Sequence, residues 1–298
     1  VQTCALPILN PFASAGFTNS AGITAYTPQG NSKYHGLAVD ITKRFSGQLM
    51  FKAGYTWSHL LDDSTAEVNT TTLSPRRPQD FANVRGEWAS LALDRRHRLV
   101  ATSVWDTPWF RSNHNWFMHN VLGGYSLSGT YTVESPQYVT PQSVIDANLN
   151  GDNATDRVVV NPNGVVGTGS DTKALLNSAG QTVAYVALDP TAQFPRARAG
   201  VLPDSGRNVL RTNRINNFDL SAGKTFTVRD RFRTEIRADF YNAFNHAQYV
   251  PGRVNNVIST PRAGETSYLT PGNNLFARWD RVYPSQSRFI QLVAKFTF

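Results

Sequence analysis

The sequence has little cysteine and no long hydrophobic run. It contains one cysteine, Cys4, in 298 residues, so no disulfide can form within the chain. No segment approaches the ~20 consecutive apolar residues of a membrane-spanning helix, which excludes a helical membrane protein. The mean hydropathy of −0.35 is typical of a soluble protein and equally of a β-barrel, whose strands turn only every second residue to lipid.

The basic excess does not indicate nucleic acid. Lys and Arg outnumber Asp and Glu by 29 to 21, which gives a net charge of +8. These residues are spread along the chain, without a basic helix or a nucleic-acid-binding motif. Dispersed charge of this kind is typical of a solvated surface, so we expect no nucleic-acid partner.

Catalytic motifs are also missing. The sequence has no Gly-x-Ser-x-Gly elbow, and none of its six histidines has an HExxH context. The glycines of segment 164–169 are not followed by the Gly-Lys-Ser/Thr that closes a phosphate-binding loop. We therefore predict that the protein is not an enzyme.

Alternation of apolar and polar residues is the strongest positive pattern. In segment 49–57 the odd positions carry Leu, Phe, Ala, Tyr and Trp, and segment 37–42 alternates in the same way. Successive side chains of a strand point to opposite faces, and Ser46 and Gly47 separate the two segments. The pattern therefore predicts a β-hairpin.

The same alternation predicts five more strands. They lie at about 98–105, 121–133, 218–223, 232–240 and 290–298. The connections alternate in length: short turns at 46–47, 107–116 and 229–230, and long polar loops at 59–96, 134–212 and 242–287. Short periplasmic turns and long extracellular loops are typical of outer-membrane barrels. We predict an all-β, antiparallel up-and-down meander, part of a transmembrane β-barrel, with about seven strands.

The final strand carries a candidate barrel-assembly signal. Phe298 ends the sequence, and apolar residues occupy every second position before it. This arrangement resembles the signal that the barrel-assembly machinery recognises, so that machinery is an expected partner. The signal residues are Ile290, Leu292, Ala294, Phe296 and Phe298.

Several motifs are similar to the C-terminal region of Oar-like TonB-dependent receptors. The most specific is segment 237–246, Arg-Ala-Asp-Phe-Tyr-Asn-Ala-Phe-Asn-His. The other matching segments are 34–37, 43–46, 55–59 with 62–63, 94–99 and 216–221. The resemblance covers nearly everything from residue 31 onward. It implies an outer-membrane receptor of a Gram-negative bacterium, in contact with outer-membrane lipid, that takes up an extracellular ligand and engages TonB through N-terminal parts.

The resemblance also implies a domain organisation. Segment 1–8 matches the translation of a sequencing adapter, so we expect residues 1–9 to be an artefact or disordered. Residues 10–298 are then expected to be the C-terminal segment of the barrel, a fragment without the plug. The loop at 134–212 is our candidate for ligand contact, because of its length and position.

An acidic, asparagine-rich segment suggests a calcium loop. Oxygen-bearing side chains recur at alternate positions, and Gly151 stands at the sixth position. The twelfth position, where an EF-hand has Glu, is Arg157, so a polar extracellular turn is the alternative. The candidate ligands are Asp146, Asn148, Asn150, Asp152 and Asp156.

Two other functions are compatible with the sequence. The barrel, without transport, is suited to adhesion or to organising the cell surface through its long loops. A soluble β-sandwich that binds carbohydrate on exposed aromatic residues is the second alternative. The strict alternation of short and long connections argues against the sandwich.

Overall fold

The computed structural model describes residues 28, 30–63, 78–80, 83–110, 112–149, 156–228, 232–249, 268–281, 284–285 and 287–297. Its strands are β1 Ser32–Ser46, β2 Leu49–Asp62, β3 Ala89–Ser90, β4 His97–Asp106, β5 Tyr125–Glu134, β6 Tyr138–Val139, β7 Val165–Ser170, β8 Thr172–Leu176, β9 Thr182–Ala187, β10 Ala192–Pro195, β11 Leu210–Arg211, β12 Ile215–Val228, β13 Phe232–Tyr241, β14 Gln248–Tyr249, β15 Pro284–Ser285 and β16 Phe289–Thr297. Short helices cover Val84–Glu87, Met118–Leu122 and Trp279–Arg281. In these residues no helix is long and apolar enough to cross a membrane.

Seven long strands form one antiparallel sheet. Their order is β1-β2-β4-β5-β12-β13-β16, which is also their order along the chain, and β3 adds to the end of β2. This confirms the predicted meander. β2 continues to Asp62, beyond the alternating run 49–57. β5 begins at Tyr125, later than predicted, because residues just before it are helical.

The strand register makes the alternation continuous across the whole sheet. Leu37 pairs with Trp57, and Ala53 pairs with Ala101. In each further strand pair up to β16, a residue of one face again lies opposite a residue of the same face. One face is therefore mainly apolar, and we call it the apolar face. It includes Leu37, Val39, Ile41, Phe51, Tyr55, Trp57, Leu99, Trp105, Leu127, Tyr131, Phe218, Leu220, Ile236, Phe240, Ile290, Leu292 and Phe296.

The opposite face, here called the polar face, carries mostly hydroxyl, amide and charged groups. Its members include Asp40, Thr42, Lys52, Thr56, Ser58, Arg98, Thr102, Ser126, Ser128, Thr130, Thr132, Glu134, Asn217, Asp219, Ser221, Glu235, Arg237, Asp239, Gln291 and Lys295. A sheet with one lipid-compatible face and one polar face is the arrangement of a transmembrane barrel wall.

Two strands bound the sheet. Among the described residues, β1 and β16 each pair on one side only and do not pair with each other. Every residue of β1 is exposed, including Leu37 and Ile41 on the apolar face. Within the part of the chain that the structure describes, the sheet is therefore an open wall of seven long strands.

The long connections contain the buried core, whereas the sequence predicted plain polar loops. Strands β6 to β11 all lie in segment 134–212 or at its boundary, and their core also uses residues 268–279 from a different long connection. The buried core residues are Ala92, Val139, Val158, Phe194, Leu210, Leu269, Phe276 and Trp279. We call this folded unit the cap. Its core is apolar because, unlike the sheet, it has no lipid to cover it.

The cap is built from short pairings. β6 pairs with β11, β7 runs parallel to β10, and β8 and β9 form a hairpin. Gly169 lies directly against the ring of Phe276, where an added Cβ would come within 2.5 Å of ring carbons. Any larger residue there would force β7 away from residues 268–279.

Candidate functional site

The polar face is held together by cross-strand contacts. The hydroxyls of Thr102 and Thr130 lie 3.3 Å apart, and Ser221 donates to Asp239 at 2.5 Å. Arg237 pairs with the same Asp239 carboxylate at 3.0 Å. These side chains are half-buried or buried, so the face is a fixed array of hydrogen-bonding groups rather than a loose charged surface.

A cleft of about 310 Å³ opens where the polar face meets the long connections. Its floor comes from the ends of β1, β2, β4 and β5, and its wall comes from the segment that precedes β4. The lining residues are Tyr34, Thr56, Ser58, Leu60, Leu93, Asp94, Arg95, Arg98 and Glu134. Aromatic, apolar, hydroxyl and charged groups converge in this cleft, as expected of a small-molecule site.

Two arginines and one glutamate dominate its electrostatics. Arg98 pairs with Glu134 at 3.0 Å, and Arg95 approaches the same carboxylate at 3.7 Å. Burial lowers the pKa of Arg95, while the carboxylates of Glu134 and Asp94 raise it in part. In the described part of the chain, Nη1 of Arg95 is buried and has no hydrogen-bond partner.

Backbone contacts fix the wall of the cleft. Ser58 N–H donates to the carbonyl of Arg96 at 3.1 Å, and the Ser58 hydroxyl donates to the carbonyl of Arg95 at 3.0 Å. The buried Asp94 carboxylate accepts from Leu60 N–H at 3.2 Å and pairs with Arg96 at 3.3 Å. The arginine side chains therefore project from a segment that is bonded along the end of β2.

Buried ion pairs join the cap to the sheet. Arg207 pairs with Asp62 at the end of β2 and also donates to the backbone carbonyl of Glu87 at 3.0 Å. Arg157 pairs with the Glu87 carboxylate. All four side chains are almost fully buried, so the pairs hold the cap in one position at the end of the sheet.

The candidate calcium residues are only partly brought together. Asp156 accepts from the backbone N–H groups of Ala147 and Asn148, at 2.6 and 2.8 Å, and the Asn148 amide donates to the carbonyl of Gln79. Asp146 lies in the same turn, while Asn150 and Asp152 fall outside the described residues. Within the described segments no group of three or more His, Cys, Asp or Glu side chains is placed to hold a metal. Calcium binding stays a prediction.

The candidate assembly signal lies on the last strand. Ile290, Leu292, Ala294 and Phe296 share the apolar face of β16, and all except Ala294 are exposed large hydrophobic residues. Phe298 falls outside the described residues. The geometry agrees with the predicted alternation, and recognition by the assembly machinery stays a prediction.

Sequence reasoning misses the roles of four arginines. Arg95, half-buried, and Arg98, exposed, stand out only as part of a motif, and the buried Arg157 only as the residue that breaks an EF-hand pattern. Arg207 carried no signal at all, since its partner Asp62 lies 145 residues away. A charged residue in a segment with several apolar neighbours is the one local hint that was available.

The fold and the two-faced sheet define a transmembrane β-barrel protein. A family model described as an outer membrane beta barrel domain matches residues 3–291, so the chain belongs to that family. Its location is therefore the bacterial outer membrane. Searches of curated proteins and of solved structures returned no match. Outer membrane barrels of this family are typically not enzymes.

Proposed function

We propose that the chain forms part of the barrel wall of an Oar-like TonB-dependent receptor, and that the complete protein takes up a ligand across the outer membrane. The observation that carries the proposal is the cleft between segment 93–95 and the polar face. A ligand held there lies at the extracellular end of a polar surface that runs the length of the sheet. Capture and passage would then use one continuous path.

The cleft suggests the chemistry of the ligand. Arg95 and Arg98 offer donors, Glu134 and Asp94 offer acceptors, and Tyr34 offers an aromatic surface. This mixture suits a polar molecule with both hydroxyl and acidic groups better than an apolar one.

The open sheet supports membership of a larger barrel. The exposed backbone edges of β1 and β16 have to be paired in a membrane, because lipid offers no hydrogen bonds. The described residues form seven long strands, an odd number, whereas single-chain bacterial barrels have an even number. We propose that further strands of the same protein join these two edges and that a plug fills the lumen.

Vancomycin entry tests for a receptor-sized lumen. Removing the plug from the complete protein is expected to make a Gram-negative host markedly more sensitive to this large antibiotic. The control is the intact protein expressed at the same level. A small barrel of roughly eight strands has its lumen filled by side chains, and it would leave the sensitivity unchanged and contradict the proposal.

Retention by TonB tests the energy coupling. The complete protein is expected to bind to an immobilised periplasmic domain of TonB and to lose that binding when its N-terminal TonB-engaging segment is deleted. If the protein failed to bind TonB while the vancomycin test indicated a wide lumen, the protein would be a large barrel that does not depend on TonB.

Adhesion is the second candidate, and the β8–β9 hairpin favours it. This hairpin projects from the cap with Leu175, Leu176 and Val183 about half exposed. Replacing residues 173–186 by a short Gly-Ser linker leaves the core residues of the cap in place. Loss of cell–cell aggregation in this variant, with unchanged TonB binding, would indicate adhesion through the cap.

A further inference from the structure

The connection between β4 and β5 carries an unusual number of exposed large apolar side chains. Residues 116–122 are helical, and the Asn115 side-chain oxygen accepts hydrogen bonds from the N–H groups of Phe117 and Met118, at 2.9 and 3.2 Å. We call residues 109–110 and 112–122 the aromatic turn. Its exposed side chains are Trp109, Phe110, Trp116, Phe117, Met118 and Leu122. With Trp116 65% exposed, this surface is not part of the protein's core.

The aromatic turn continues the apolar face of the sheet. Trp105, near the end of β4, pairs in register with Leu127 on that face. The ring of Trp109 packs edge-on against Trp105 with a centroid distance of 5.4 Å. The lipid-compatible surface therefore extends past the end of β4 onto Trp109.

Lys224 ties the aromatic turn to the sheet. This lysine occupies an apolar-face position of β12, yet its ammonium group donates to the carbonyls of Val121, at 3.2 Å, and Gly123. It also lies 4.1 Å from the ring centroid of Tyr125. The carbonyls at the end of a helix carry partial negative charge, so they favour the cation there. The contact holds the helical residues at a fixed height relative to the strands.

We infer that the aromatic turn is an interfacial anchor that inserts into the phospholipid leaflet on the short-turn side of the sheet. In outer-membrane barrels that side is the periplasmic one. Tryptophan is favoured where acyl chains meet headgroups, and short helical segments with one apolar side lie in the same layer. The occupant is lipid rather than a protein partner, because the surface is continuous with the face that the barrel already turns to the membrane. The inference rests on the outer-membrane location and not on transport.

Nitroxide accessibility tests the anchor. In a Cys4→Ser background, Trp116→Cys and, separately, Phe117→Cys are labelled in the complete protein, reconstituted in phosphatidylethanolamine–phosphatidylglycerol vesicles. Leu292→Cys, on the apolar face, is the lipid control, and Lys173→Cys, exposed on the cap, is the water control. The ratio of oxygen to nickel-chelate accessibility at 116 and 117 is expected to lie between the two controls, below that of Leu292→Cys and several-fold above that of Lys173→Cys.

Two results would overturn the anchor. A ratio equal to that of Lys173→Cys places the turn in water. Low accessibility to both reagents means that protein covers it, either a second copy or another part of the same protein. Heat-modifiable migration of each labelled variant checks folding, and the two independent positions keep the test decisive if one substitution prevents it.

Discussion

At the scale of single residues, Asp63 joins the outer ends of two strands. Its carboxylate accepts from the backbone N–H of Asn31 at 2.5 Å and from the Asn31 side chain at 3.0 Å. Burial raises the pKa of Asp63. The two hydrogen bonds from Asn31, a third from the backbone of Asp63 itself and the positive charge of Arg207 together lower it by more. The net pKa therefore lies below the usual 3.8. The ionised form is the one that stabilises the folded state.

Replacing this carboxylate should give a pH-dependent loss of stability. A folded-state pKa below the unfolded value stabilises the protein fully above the unfolded pKa, and that stabilisation is lost as pH falls through the folded pKa. We expect Asp63→Asn to lower the free energy of unfolding by about 1–2 kcal/mol at neutral pH. In urea titrations in detergent, the difference from wild type should shrink below pH ~4. A difference that is the same at every pH would show that the charge is unimportant.

Arg207 provides a second residue-scale prediction. Its guanidinium is buried against Asp62 and carbonyl oxygens, so removing it leaves a buried carboxylate without its cation. We expect Arg207→Met to lower the free energy of unfolding by about 3–5 kcal/mol, measured by urea titration.

An exposed ion pair is the matched control for Arg207. Arg278 pairs with Asp280 at 2.7 Å, and both side chains are about half exposed. Screening by water leaves such pairs with little net stabilisation, so Arg278→Met should change the free energy of unfolding little. Equal losses in the two variants would mean that the Arg207 pair does not lock the cap to the sheet.

At the scale of elements, the strands were predictable and the cap was not. Each long strand can be predicted from its own residues, because the alternation in a segment such as 49–57 does not depend on the partner strand. The core of the cap joins Val139, Val158 and Leu269, which are distant in sequence and lie in segments with no regular period. Polar composition and many turn residues made the long connections look unstructured.

The candidate site shows the same division. Thr56 and Arg98 lie on predicted strands, so their shared face follows from the alternation, whereas Tyr34 lies on the part of β1 that precedes the predicted segment 37–42. The cleft itself depends on the segment 93–95, whose position is set by backbone bonds to Ser58 and Leu60. Contacts of this kind leave no periodic trace in a single sequence.

The cap should unfold when its core is truncated. Leu269 is fully buried between segments from two long connections. We expect Leu269→Ala to lower the stability of the cap by about 2–5 kcal/mol. Protease susceptibility within 156–214 measures this, while heat-modifiable migration reports the barrel. Leu202→Ala, at a side chain that is 75% exposed, is the control and should have little effect. Equal protection in both variants would contradict a core at this position.

At the scale of the whole molecule, the register assigns one face to lipid and the other to the lumen. Leu292 and Gln291 are neighbours at nearly the same depth on β16, but their side chains point to opposite faces. Leu292 is paired with Ala238, and Gln291 with Asp239. An arginine at position 292 would therefore face lipid, and an arginine at position 291 would face the lumen, with the same change in charge.

The two arginine variants should differ sharply in bilayers. In the complete protein, Leu292→Arg is expected to lower the free energy of unfolding from phospholipid bilayers by about 2–4 kcal/mol, the cost of a cation facing lipid near the midplane. Gln291→Arg should have little effect, because water and the Asp239 carboxylate can solvate it. If both substitutions were tolerated, the apolar face would be covered by water or by protein. If Gln291→Arg were the costly one, the assignment of the two faces would have to be reversed, and with it the path from the cleft.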